Sequence, residues 1–267
     1  MSLLAAMLMA STAHASIDPK CVGETQKFDE QGQQDFLLNY FALAVTLSPL
    51  HAPVPLEPGH GSLGLELNVI PPLSCSQRLV LSSSKTEDTN KAPVAPRPRL
   101  MFALPKLGPV VPYGSIGYVP PVTVFGTRNV IVSGEIGVGV PLDNGLQLGG
   151  RYHATLMKTI AEIATPFVDG DPAYDDFYSG STFGVDLMAG YETAKVTPYL
   201  AVGFTDVSTF FLIGDDLYVG DNTTPYFGPT ASLGAQTVLK EHFDLAAEFY
   251  TAPRYIYTGR LRLAYTW

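Results

Sequence analysis

Residues 257–267 constrain the fold of this chain more than any other segment. Read with period two, Tyr257, Gly259, Leu261, Leu263, Tyr265 and Trp267 share one face, and Thr258, Arg260, Arg262, Ala264 and Thr266 share the other. In a water-soluble sheet one face packs on the core and the other meets water. Here an apolar, aromatic-ended face stands opposite two arginines, which suits a strand whose greasy side meets lipid and whose polar side meets a lumen.

The same alternation recurs upstream. About ten strands are expected, near 61–70, 97–105, 110–124, 128–141, 145–158, 181–193, 196–209, 225–239, 242–251 and 256–267. Joins at 105–109, 142–145, 194–195 and 240–241 are tight, those near Gly126 and Ala252 are short, and those at 71–96, 159–180 and 210–224 are long and polar. Long joins fall only at odd positions, so the two ends of the strands differ, as in an outer-membrane barrel with both termini on the periplasmic side. No run approaches the ~18 apolar residues of a membrane helix. The fold class expected is therefore all-β: an antiparallel transmembrane barrel of about ten strands, within eight to twelve, over residues 61–267.

Outward positions include Leu63, Leu65, Leu67, Leu100, Phe102, Val132, Ile136, Val185, Leu187, Leu245 and Phe249. The opposite faces carry Glu66, Arg99, Glu135, Arg151, His153, Asp186, Asp244, Glu248, Arg260 and Arg262 as expected lumen-lining residues. A charge at the lipid midplane costs roughly 2–4 kcal/mol, so this segregation fixes the register. Five acids and four arginines nearly cancel. They read either as an ion-pair network filling a narrow lumen or as the charged constriction of a conduction path. Near ten strands a barrel is only slightly wider than one that side chains fill, which excludes a general open porin. Many other inward positions, such as Gly64, Ser133, Gly137, Gly139, Gly184, Gly190 and Gly234, are small and leave room.

The amino-terminal part is different in kind. Residues 1–15 read as a signal peptide with an Ala13-His14-Ala15 cleavage site, although no Lys or Arg precedes the apolar run. Residues 16–60 form an N-terminal extension, with helical spacing from about Phe28 to Leu47, then a Pro-rich linker at 48–58. The surroundings of Cys21 do not match a lipid-anchor site. A Cys21–Cys75 disulfide is one option in an oxidising compartment. Cys75 lies just past the outer end of the first strand, so such a bond would force the extension through the lumen as a plug. With both thiols free the extension would lie at the periplasmic rim, a placement favoured by Phe36, Leu37, Tyr40 and Phe41, which suit an apolar surface better than a charged lumen.

The terminal aromatic and the loop asymmetry resemble Gram-negative outer-membrane β-barrel proteins, with no specific family assigned. That resemblance implies a cell outer-membrane location, lipid and lipopolysaccharide as surroundings, and insertion by the barrel assembly machinery. His60 and Ser62 have the His-x-Ser spacing of outer-membrane phospholipase and lipid A deacylase, but precede the first strand on the wrong side. The long loops lack the histidine of the omptin proteases, and the plug motif of long-chain fatty-acid transporters is absent. His153 beside Arg151 reads as a hydrogen-bonding lumen residue or a pH-sensitive gate. Acidic loop residues Asp169, Asp171, Asp175, Asp176, Asp215, Asp216 and Asp221 do not match a calcium-loop spacing. The net charge of −9 excludes nucleic acid as a partner. No catalytic residues, cofactor or metal site are expected. Two roles remain: a narrow or gated channel for small solutes, or a non-conducting barrel that anchors or docks other envelope proteins.

Overall fold

A computed structural model describes residues 17–166, 172, 174–214, 218–240 and 242–267; the signal-peptide expectation for residues 1–15 lies outside them. Ten antiparallel strands close on themselves: β1 (Gly61–Val69), β2 (Val94–Ala103), β3 (Val111–Val124), β4 (Thr127–Pro141), β5 (Leu146–Ala161), β6 (Asp176–Tyr191), β7 (Thr197–Ile213), β8 (Phe227–Leu239), β9 (Phe243–Ala252) and β10 (Ile256–Thr266). Each pairs with its neighbour in sequence, and β10 pairs with β1, Leu63 opposite Tyr265 and Glu66 opposite Arg262. Closure matters because it leaves no exposed sheet edge at that seam.

The strand positions follow the alternation, with one systematic difference. β5, β6 and β7 run past the expected segments at the loop end, to Ala161, from Asp176 and to Ile213. After β7 the chain folds back as Tyr218–Asp221, which pairs with 210–213. These extensions, at 159–161, 176–180 and 210–213, do not alternate apolar with polar residues, so period two does not mark them. Between β3 and β4, Phe125 and Gly126 both take positive φ, 52° and 73°, the pattern of a two-residue hairpin turn.

The extension runs the length of the lumen. Cys21 and Cys75 are disulfide-bonded, which fixes the start of the described chain to the loop between β1 and β2. Helix α1 (Glu30–Val45), capped by the Asp29 side chain on the N–H of Gly32, descends into the barrel from the loop end. Residues 46–58 then thread the inner half and emerge at the turn end, where β1 begins. This corrects the expectation of an extension at the periplasmic rim, and it puts the first described residues at the loop end rather than, as expected, on the same side as Trp267. The residues thought unsuited to a lumen find an apolar one. Phe36, Tyr40 and Leu43 pack on Val207, Tyr250 and Ile256, and Leu38 and Val45 on Ile131, Met157 and Tyr178. A helix apolar around most of its circumference is stable only when enclosed on all sides.

Candidate functional site

The inner half of the lumen is ionic, and its charges face the threaded segment as well as each other. Arg97 meets Glu66 at 2.7 Å, and Arg99 bridges Glu66 and Glu135. Arg151 bridges Glu135 at 2.6 Å and Asp186 at 2.7 Å, and Arg262 pairs with Asp244. His153 lies 3.5 Å from Asp186, buried and facing the lumen. Arg260 is stacked 4.0 Å over the Tyr250 ring. Glu248 sits opposite Arg260 in register but turns to the thread, accepting from the Leu50 N–H at 2.9 Å and from the Tyr199 hydroxyl. All ten residues read from the alternation are therefore inward and buried.

An irregular segment inside a barrel carries backbone donors and acceptors that neither helix nor ladder satisfies. The lumen side chains supply what is missing. Arg97 donates to the Val45 carbonyl at 2.9 Å and Arg260 to that of Thr46, so two guanidinium groups close the carboxyl end of α1. Arg151 donates to the Leu47 carbonyl at 2.8 Å, and Arg99 to that of Pro49 at 2.9 Å. Thr155 accepts from the Leu47 N–H, Gln236 from that of Ala52 at 2.7 Å, and Gln147 from that of Val54. Gln236 also donates to the Pro55 carbonyl at 3.0 Å and to Asp244 at 2.9 Å. Leu50 is held at a positive φ of 49°, a strained backbone state that this surrounding fixes.

Glycines make the room. An added Cβ at Gly139 would stand 2.2 Å from the Pro53 carbonyl oxygen, and one at Gly190 would stand 2.8 Å from the Pro53 ring. Elsewhere the small positions receive aromatic rings, Tyr113 over Gly137 and Tyr199 over Gly234.

Arg97, Gln147, Gln236 and His51 belong to this arrangement and were not singled out by the sequence. Arg97 stands at the first position of the expected strand, on the period-two face of Arg99 and between Pro96 and Pro98. With it, five arginines face five acids. His51, 3.2 Å from Glu135, comes from the thread, where no periodicity marks it. His60 is exposed at the turn-end rim, 3.8 Å from Glu57, while Ser62 is buried in the lumen. Of the acidic loop residues, Asp169, Asp171, Asp215 and Asp216 lie outside the described residues. Asp176 holds the loop itself, accepting from the N–H groups of Ile163, Ala164 and Gly214.

The exterior decides the class. Leu63, Ile136, Leu187 and Phe227 are 56%, 67%, 69% and 75% exposed on the wall whose inside holds the charges. Water would penalise such a surface, and hydrocarbon welcomes it. The chain is an outer-membrane β-barrel. No protein-family model matches it, and no curated protein matches it. Among solved structures it is similar to the translocator domain of the autotransporter NalP from Neisseria meningitidis (TM-score 0.42, 11% identity, 79% of this chain and 89% of that one). It is also similar to the β domain of the Bordetella autotransporter BrkA (0.39, 12%, 78% and 98%) and the Ralstonia pickettii toluene transporter TbuX (0.36, 9%, 85% and 97%). At these scores, membership of the class rests on the barrel itself.

Proposed function

We propose that this barrel is sealed to ions and serves as a non-conducting platform, anchoring its amino-terminal segment and outer loops as a docking face for other envelope proteins. One observation carries the reading: Thr46 to Ala52 are almost completely buried inside the ring of charges, with their backbone groups bonded to it. Where ion pairs and peptide groups compensate one another in this way, few charges among the described residues are left to select a passing ion. The loop end is built as one piece. Asp35 of α1 accepts from the Thr223 N–H at 2.9 Å and from the hydroxyls of Thr223 and Thr224, while Gln34 donates to the Asp221 carbonyl at 2.6 Å. Outer-membrane lipid and lipopolysaccharide would surround the apolar belt, and the barrel assembly machinery would insert the chain.

Single-channel recording of the purified, oxidised protein in planar bilayers tests this. Silence is expected. Steady ohmic steps would restore the alternative, a narrow or gated channel for small solutes lined by Arg151, Asp186, Glu248, Arg260 and Arg262.

A further inference from the structure

The wall between β2 and β3 is open over its loop-side half. Their ladder holds only five residue pairs, from Arg99 opposite Gly117 to Ala103 opposite Tyr113, whereas β5 and β6 share sixteen. Beyond Arg99, Val94 to Pro98 remain paired with β1 alone; beyond Gly117, β3 remains paired with β4 alone, through a register shift between Val119 and Val122. Extending the register would set Pro98 against Tyr118 and Pro96 against Pro120. Three of those four positions lack an N–H and cannot donate to a ladder. The bulge also bends β3 locally at this point.

A cavity of about 260 Å³ occupies this opening. Leu65, Pro98 and Val122, which line one part of it, belong to the outer face of the barrel. Ile131 and Met157, buried against α1, line another, and Ala44 of α1 forms its floor. Residues from both faces of one wall meet in a single cavity only where the wall is breached. The lining is apolar through most of its depth, and Asp88, Thr89 and Lys91 stand at the loop end, with Lys91 3.4 Å from Asp88 and 3.6 Å from Glu162. The cavity thus grades from hydrocarbon-like to polar along the barrel axis, as a membrane amphiphile does. Backbone N–H groups bare to hydrocarbon are costly, and the prolines reduce the number that an apolar occupant would leave unmet.

We propose that one acyl chain of an outer-membrane lipid enters laterally between β2 and β3 and lies in this cavity against α1, with its polar end toward Lys91. The occupant follows from place: the opening faces the bilayer, whose hydrocarbon is the material in direct contact with it. The proposal goes beyond the sealed-lumen reading, because an acyl chain held at the wall opens no ionic path.

Photocrosslinking of the natural chain tests it. The protein is reconstituted in bilayers of phosphatidylethanolamine bearing a diazirine at the end of one acyl chain, irradiated, and mapped by peptide mass spectrometry. Adducts on Phe41, Ala44 or Met157 are expected beside those on outward residues. Adducts confined to outward residues such as Leu63 and Leu100 would overturn the proposal. Ala44→Trp, which fills the cavity, should reduce the internal adducts to background and keep the outward ones. Should that variant not fold, mapping of the natural chain decides alone.

Discussion

Pro53 and Gln236 show how tightly single residues bind the thread to the wall. Gly139→Val would drive a branched side chain into the Pro53 carbonyl, and overpacking of this kind costs about 1–3 kcal/mol; the urea midpoint of the folded barrel in detergent should fall accordingly. Gln236→Leu would orphan the Ala52 N–H and the Pro55 carbonyl inside the barrel. At about 1–3 kcal/mol for each group left unpaired, it should lower the same midpoint at least as far. At the loop end, burial pushes the Glu87 carboxyl above its ordinary value, against the opposing pull of Lys85 and the Thr165 N–H. A folded-state value raised above the unfolded one gives stability that is complete at low pH and lost as pH rises through the folded value. Protection of residues 85–88 from hydrogen exchange should therefore weaken from pH 4 upward more in the natural chain than in Glu87→Gln. At this scale the sequence showed which residues turn inward, because a two-residue period separates charge from lipid. It did not show that Arg97, Arg151 and Gln236 bond to backbone, since the thread that receives them has no period.

The elements differ in how plainly they announce themselves. β1, β4, β9 and β10 alternate cleanly and lie within a few residues of their expected bounds, because each has one face in lipid along its length. The upper part of β2 is proline-rich and lacks a partner on one side, so its pattern dissolves before the strand ends. Helix α1 was legible as a helix, but not its surroundings. The expectation of a charged lumen came from the acids and arginines of the inner half, whereas Val207, Tyr250 and Ile256 line the outer half. The disulfide closes a loop of 54 residues in separation, for which the chain-entropy account gives roughly 3–5 kcal/mol. Replacing both cysteines by serine should raise hydrogen exchange in residues 17–29, while 46–52, held by the lumen, stay protected.

For the molecule as a whole, the closed ring of strands surrounds a segment covalently continuous with β1. Arg97, Arg99, Arg151 and Arg260 all donate to carbonyls of that segment and would lose those acceptors without it. A variant lacking 17–58 should give, if it inserts, a leaky barrel with measurable conductance, whereas the complete chain should stay silent in the same bilayer recordings. Orientation follows as well. The start of β1 lies at the turn end, yet the residues preceding α1 are pinned to the loops at the other. A short epitope placed just before Ile17 should accordingly be reached by antibody added to intact cells: the stretch ahead of α1 sits among the outer loops, and whatever is grafted beside it is displayed to the outside world.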